Sequence, residues 1–515
     1  MTATYALAIF LVLALLASQL RISEFIIARK YWWPLSCLVL CYFFCLVSWY
    51  LFFPAYFDHV EPNIAAVSWL WATGHPIYHA LQSPERYSLL YGPLTYVVNG
   101  HVLHFFGPSI TISKLAGIFS ALATLVCMAL TLRRHFAWRM SVFGTALLAA
   151  TLLIFKYVAF WARPDPLLLL VVTASLWCID GKAQFWKVLC AGVLCGIALN
   201  IKIHAVIYFL PLVVLLYDKQ GWRRVAVCAG AAAVIFCLPF LFLHGVVWAD
   251  YVRWLQQAAQ HGLDPLELLG NLQWAIFFAA PLLLVTSVQR QDWSWRARDA
   301  QFVTALGAST LLMCVIAAKP GAGRHHLMPL LPLLVYAVMH NVKAAAVARS
   351  SHQNTQRIFS AWLLTLLIMV CAAQIESVTK ILRNNPSGIA DDLKNILHES
   401  AVEGKSVAMG FGGDYSRTFY RPLLVFAGQP YLLDASALMD MQKSALAIPT
   451  AARVAMRDCA IHTWLIPKGG APFDMMSNYT STAPLFDAEF QRDFTAHYTR
   501  TRTTQFYDVW ECQLP

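Results

Sequence analysis

The sequence predicts a polytopic α-helical membrane protein of about 12 transmembrane helices with a C-terminal soluble α/β domain. Three observations predict it. First, of 515 residues 59% are hydrophobic and only 13% charged, about half the charged fraction of an ordinary soluble domain. Second, apolar runs of roughly 15 to 22 residues recur from the N-terminus to about Ser377, the length a helix needs to cross a bilayer with its backbone satisfied internally. Third, the texture changes near Glu376: charges become frequent and apolar runs shorten. The expected domains are 1–375 in the membrane and 376–515 outside it, a tail long enough to fold independently.

The expected spans, in order, are 4–20, 34–53, 111–132, 141–160, 167–179, 187–201, 203–217, 225–243, 273–288, 301–318, 327–341 and 358–375. The formal net charge of +11 divides unevenly: the tail holds 13 Lys/Arg against 15 Asp/Glu, the rest 25 against 12. In a membrane protein such an excess sets topology and does not by itself point to nucleic acid. With the loop of Arg21, Arg29 and Lys30 placed inside, so are Arg133, Arg134 and Arg139; Lys182 and Lys187; Lys219, Arg223 and Arg224; Arg290, Arg296 and Arg298; and Lys343, Arg349 and Arg357. Only Arg86, Arg163, Lys202, Arg253, Lys319 and Arg324 fall in outer loops. The N-terminus, the first loop and the tail then face outward. The first span lacks a basic segment before it, so it reads as a span and not as a cleaved signal peptide. Leu94–Phe106 contains Asn99, His101 and His104, and counting it as a span would invert the later loops. It reads as a helix at the outer interface.

Eleven of the 13 cysteines lie in or beside spans. Cys37, Cys41 and Cys45 recur at helical spacing but read as small apolar packing residues. The tail holds Cys459 and Cys512, which can form one disulfide if the tail is outside.

Polar residues with chemical potential concentrate in the outer loops. The first loop, 54–110, opens with Asp58-His59-Val60-Glu61, carboxylates at the mouth of a span that must meet water, a charge or a substrate. An aromatic-rich amphipathic segment, Pro62–Thr73, follows, then His75, Tyr78, Glu85-Arg86 and Tyr91-Gly92-Pro93. These segments read as interfacial helices, as does Trp248–Gln260 further on. The second loop, Trp161-Ala162-Arg163-Pro164-Asp165-Pro166, is either a turn closed by its own Arg–Asp pair or a second acid facing the site of Asp58. Lys156 can snorkel to that level. Lys202 and His204 lie between two closely spaced spans, where Lys202 can reach lipid headgroups or a phosphate. Lys319-Pro320-Gly321-Ala322-Gly323-Arg324-His325-His326 sets two cations and two imidazoles beside glycines that let backbone N–H groups approach an anion. Adjacent residues point about 100° apart on a helix, which speaks against His325 and His326 sharing a metal. No Walker A, dinucleotide-binding, GxSxG or HExxH motif occurs, and the candidate residues face away from the cytoplasm, which speaks against nucleotide-driven chemistry. Asn478-Tyr479-Thr480 is a glycosylation sequon, a triplet that carries no weight alone.

This order of strings resembles the GT-C superfamily of integral membrane glycosyltransferases, which includes protein O-mannosyltransferases, the lipid A aminoarabinose transferase and oligosaccharyltransferases. EPNIAAVSWLWATGHPIY is similar to an acid-led helix ending in a Gly-x-Pro-x-Tyr turn. YGPLTYVVNGHVLHFFG resembles the family's Tyr-Pro-Pro-Leu segment, with Gly92 in its middle. ARPDPLLLL, GIALNIKIHAVIYFLP and GRHHLMPLLPLL resemble the second-loop acid, the Lys-containing helix pair and the Arg-led late helix. The resemblance covers roughly residues 35–340. The family often keeps Asp and Glu adjacent; here Asp58 stands three positions before Glu61, which leaves open which is the base. The tail reads as mixed α/β, with strand-like Ser406–Met409, His462–Ile466 and Phe506–Cys512.

The resemblance implies transfer of a sugar from a polyprenyl-phosphate donor to an acceptor hydroxyl on a glycan, lipid or protein, with inversion, at the periplasmic face of a bacterial inner membrane. Asp58 is then the first choice of general base, Glu61 orients it, and Asp165 positions sugar or acceptor. Lys202 and Arg324, with Lys319, Arg163, His325 and His326, meet the leaving phosphate. His75, Tyr78 and Tyr91 line the sugar. No cofactor is firmly implied; three carboxylates suffice for a divalent ion, but no Asp-x-Asp cluster favours one. The rival readings are a transporter or flippase of lipid-linked sugars, an O-antigen ligase or polymerase type enzyme, and a tail that only binds a partner.

Overall fold

Apolar runs that cannot hydrogen-bond to lipid close their backbone bonds within themselves, and helices accordingly dominate the chain. The computed structural model describes residues 3–19, 32–87, 90–181, 184–288, 297–347, 352–383, 387–477, 479 and 483–513. Of the expected inner basic residues, Arg21, Arg29, Lys30, Lys182, Arg290, Arg296 and Arg349 lie outside the described residues, as do Asn478 and Thr480 of the sequon.

Among the described residues six helices are long and apolar enough to cross a membrane: Trp32–Phe52, Ile110–Arg133, Ile203–Gln220, Trp222–Phe242, Pro265–Leu283 and Phe359–Thr379. Four shorter apolar helices accompany them, Thr4–Leu16, Trp138–Leu153, Phe185–Leu199 and Ala300–Ile316. The remaining expected spans are also helical. Helix Pro164–Asp180 covers 167–179, and a 3-10 turn at Arg324–Leu330 leads into helix Leu331–Val347 over 327–341.

The chain divides into two compact units. One comprises 1–50, 117–237 and 263–384; the other comprises 51–116, 238–262 and 385–515. The tail therefore does not stand alone beyond residue 375: the first loop and the segment around Trp248 belong to its unit. Asp434 N–H donates to the Arg86 carbonyl at 2.6 Å, and Trp254 donates through Nε1 to the His79 carbonyl at 3.2 Å.

In the first unit, aromatic contacts and side-chain bonds to helix carbonyls tie distant helices together. Trp32 stacks on Phe143 at 4.6 Å, and Trp362 Nε1 donates to the Phe277 carbonyl at 2.9 Å. In the second unit the expected amphipathic segment is helix Val60–Ala72, buried on nearly every face. It is a core helix and not an interfacial one, because helix Pro93–Phe106 crosses it. An added Cβ at Gly100 would lie 2.7 Å from the Ser68 carbonyl oxygen and 2.8 Å from the Trp71 ring. Pro93–Phe106 is helical as expected, with Phe105 and Phe106 exposed. Helix Trp248–Ala259 buries Tyr251 and Trp254 and leaves Trp248 half exposed.

The 385–515 segment builds a four-stranded sheet of order β1-β2-β4-β3, from Val407–Met409 (β1), Thr463–Pro467 (β2), Tyr498–Thr503 (β3) and Tyr507–Cys512 (β4). β1 pairs with β2 in parallel, and the other two ladders are antiparallel. Three strands fall where the sequence predicts them. β3 has no counterpart in the sequence reading, because Tyr-Thr-Arg-Thr-Arg-Thr is largely polar and its strand is mostly exposed. Cys459 and Cys512 form a disulfide, which clips the end of β4 to the loop before β2.

Candidate active site

In the first unit, helix Pro164–Asp180 begins at a proline, whose missing N–H costs nothing in a first helical turn, and sets Asp165 in that turn. Lys202 lies in an extended conformation between helix Phe185–Leu199 and the 3-10 turn at Ile203. Its Nζ meets Asp165 Oδ1 at 2.6 Å, with 3% and 1% of the two side chains exposed. Arg163 Nε stands 3.7 Å from the other oxygen, Oδ2. The Arg163 guanidinium also lies over the Trp161 ring at 4.2 Å and faces His325 Nε2 at 3.4 Å. His326 Nδ1 is 3.3 Å from His204 Nε2, and Tyr208 donates to the His326 carbonyl at 2.8 Å. One acid thus gathers two cations, with three imidazoles beside them. Such a set leaves positive charge in excess once Asp165 is neutralised.

The turn before these histidines needs its glycines. Gly321 and Gly323 take φ of 81° and 94°, a region open to glycine and strained for most other residues. The Gly323 amide is used internally, donating to the Ala317 carbonyl at 3.1 Å, so the loop offers an anion its side chains more than this N–H. Arg324 stacks on Trp274 at 5.1 Å. Lys156 is drawn elsewhere than expected: it turns on a φ of 62° and pairs with Glu376 Oε1 at 2.7 Å.

In the second unit Asp58 and Glu61 have different surroundings. Asp58 Oδ1 accepts the Val60 N–H at 2.7 Å, and its Oδ2 lies 3.8 Å from His59 Nδ1, with 20% of its side chain exposed. Glu61 is fully buried and accepts the Phe57 N–H through Oε2 at 2.8 Å. Close by in the chain, Lys114 is buried and donates to the carbonyls of Phe53 and Ala55 at 2.6 and 3.0 Å, and Tyr56 bonds Ser113 at 2.7 Å. The sequence reading missed Lys114. The signal was there: a lysine four residues into an expected span must find partners, and these carbonyls lie just past the end of helix Trp32–Phe52.

Two of the residues expected to line a sugar, Tyr78 and Tyr91, meet each other. Tyr78 is buried against Tyr251 and donates its hydroxyl to the Tyr91 carbonyl at 2.6 Å, so it shapes the loop. His75 is exposed at the turn following helix Val60–Ala72. His79, unremarked in the sequence, is buried; burial and then the Arg86 charge push its pKa down to about 4. Its Nε2 accepts the Tyr87 N–H at 3.2 Å, as a neutral imidazole can. Among the described residues no three His, Cys, Asp or Glu side chains are grouped to hold a metal ion.

Residues 90–339 match the model of glycosyltransferase family 87. The crystal structure of ArnT from Cupriavidus metallidurans bound to undecaprenyl phosphate shares the fold, with TM-score 0.55 at 13% identity over 94% of this chain and 98% of that one. The apo structure of the same ArnT gives TM-score 0.53 at 12% identity over 86% and 94%. No curated protein matches the sequence significantly. The chain thus has the fold of the ArnT structures, and its residues 90–339 are similar to glycosyltransferase family 87.

Proposed function

We propose that this protein transfers a sugar from a polyprenyl-phosphate carrier to an acceptor hydroxyl at the outer face of the membrane, with inversion. The observation that carries the reading is the Asp165–Lys202–Arg163 cluster with its flanking histidines. A leaving lipid phosphate develops negative charge, and preorganised cations in a water-poor setting stabilise it. ArnT, of the same fold, is described with undecaprenyl phosphate bound, which supports a donor of that kind here. Asp165 acts by holding Lys202 and Arg163, with Arg324, Lys319 and His325 adding to the positive field, while burial and the nearby Lys202 keep His326 a neutral imidazole. Of the two acids of the first loop, Asp58 is the general base, because it retains exposed surface while Glu61 is spent on fixing the turn at Phe57. The Cys459–Cys512 disulfide supports an oxidising, extracytoplasmic setting for the tail.

The test is turnover by the full-length protein in lipid nanodiscs with polyprenyl-phosphate sugars and candidate acceptors. Acceptor-dependent release of free polyprenyl phosphate, lost in Asp58→Asn, is the expected result. Movement of intact donor across the bilayer without release would replace transfer by transport.

A further inference from the structure

Helix Pro164–Asp180 carries a buried acid near each end. Asp165 serves the cluster described above, whereas Asp180 lies about 22 Å further along the helix. Its carboxylate is fully engaged: His135 Nε2 lies 2.5 Å from Oδ2, and Tyr336 hydroxyl and Lys219 Nζ lie 2.7 and 3.2 Å from Oδ1. The cations around this end are not so matched. Arg134 and Lys187 converge on Gly181, where an added Cβ would lie 3.1 Å from Arg134 Nη1 and 2.7 Å from Lys187 Nζ. Among the described residues neither meets a carboxylate. Each rests on an aromatic ring, Arg134 on Trp177 at 4.7 Å and Lys187 on Trp186 at 5.5 Å. Arg224 does the same over Phe185 at 5.3 Å. Trp186 and Phe185 are themselves half exposed.

Two neighbouring cations repel unless an anion lies between them. Exposed aromatic rings at the ends of apolar helices favour the headgroup level of a bilayer. We propose that this end of the helix binds the headgroup of an anionic phospholipid, its phosphate between Arg134 and Lys187 beside Gly181 and its chains against Trp186 and Phe185. A side chain at position 181 would press on both cations. Arg134 also donates to the Trp177 carbonyl and Lys219 to that of Asp180, which caps the helix C-terminus; capping alone would show no dependence on lipid charge.

The experiment uses the full-length protein in phosphatidylcholine vesicles, reading the association of spin-labelled phosphatidylglycerol against spin-labelled phosphatidylcholine. Wild type is expected to favour the anionic lipid on the order of tenfold, as two to three basic residues allow. Arg134→Gln with Lys187→Gln should abolish the preference, and Gly181→Ala should weaken it by crowding both cations. High salt should suppress it in wild type, which needs no variant to fold. Equal association of the two lipids with wild type overturns the proposal, as does a preference that survives the double substitution. Displacement of the anionic lipid by millimolar inorganic phosphate overturns the lipid as occupant.

Discussion

Lys202 Nζ and Asp165 Oδ1 meet at 2.6 Å, and almost nothing of either side chain reaches solvent. A buried pair of this kind costs desolvation on both sides, and removing one partner strands the other charge. Lys202→Met or Asp165→Asn alone should therefore destabilise the protein by about 3–5 kcal/mol. Joining the two substitutions should recover much of that loss while leaving transfer abolished. Thermal unfolding in detergent and turnover, measured on all three variants, check both halves. Recovery of activity in the double variant would remove the pair from the reaction.

Asp58 and Glu61 should separate by what they lose. Asp58→Asn takes away the proposed proton acceptor and should lower turnover about 10²–10⁴-fold, with little change in unfolding temperature, since the amide oxygen can still accept the Val60 N–H. Glu61→Gln keeps an acceptor for Phe57 and should cost less activity. A Glu61→Leu variant, which removes the carboxylate acceptor of the half-buried Phe57 N–H, should lose about 1–3 kcal/mol of stability. If Glu61→Gln proved the more damaging to turnover, the roles would be reversed.

The sequence shows much of the helix order and the chemistry of the loops, because span length and charge asymmetry follow from the bilayer itself. Asp165, Arg163 and Lys202 were legible as a group, since polar residues between spans have few places to go. What the sequence did not show is which acid each cation would choose. The short loop could have closed on its own Arg–Asp pair, yet Lys202 makes the shorter contact, and Lys156 goes to Glu376. Helix Val60–Ala72 was misread as amphipathic because its partners, helix Pro93–Phe106 and residues of the tail such as Val425 and Tyr431, are distant in sequence. Lys114 was missed for a related reason: its two carbonyl partners lie about 60 residues away.

Gly117 provides a packing test of the first unit. A Cβ there would fall 2.1 Å from the Trp161 carbonyl oxygen, so helix Leu115–Arg133 lies directly against the backbone that leads into Arg163. Gly117→Ala must push that backbone away. The expected cost is about 1–3 kcal/mol, typical of overpacking, together with a fall in turnover that Gly100→Ala, in the other unit, would not reproduce through Arg163. A fully stable and active Gly117→Ala protein would show that the contact is looser than described.

The Cys459–Cys512 bridge closes a loop of 53 residues. Cross-linking a loop of that length restricts the unfolded chain by about 4 kcal/mol in the chain-entropy picture. Cys459→Ser with Cys512→Ser should lower the unfolding temperature of the second unit accordingly, and reductant should do the same to wild type. Alkylation of unfolded, unreduced protein should leave these two cysteines unlabelled; labelling of both would show that the bridge does not form in the cell.

Asp440 makes the second unit sensitive to pH. Burial first, and the neighbouring Asp434 second, push its pKa up to about 7 from 3.8, against a hydrogen bond from Tyr479 that lowers it. The native state then holds a proton that the unfolded chain has released between about pH 4 and 7. Where the native state binds more protons, stability falls as pH rises, so Asp440 disfavours folding progressively across that window and by a constant amount above it. His79, pushed down to about 4, acts with the opposite sign between about pH 4 and 6.5, because there the unfolded chain holds the extra proton. Comparing variants separates the two. Asp440→Asn should gain stability relative to wild type as pH rises from 5 to 8, and His79→Gln should lose the rise seen between pH 4 and 6.5. Unfolding temperatures across that range for the three proteins give the answer. A constant difference between Asp440→Asn and wild type at every pH would mean that Asp440 titrates alike in the folded and unfolded chain.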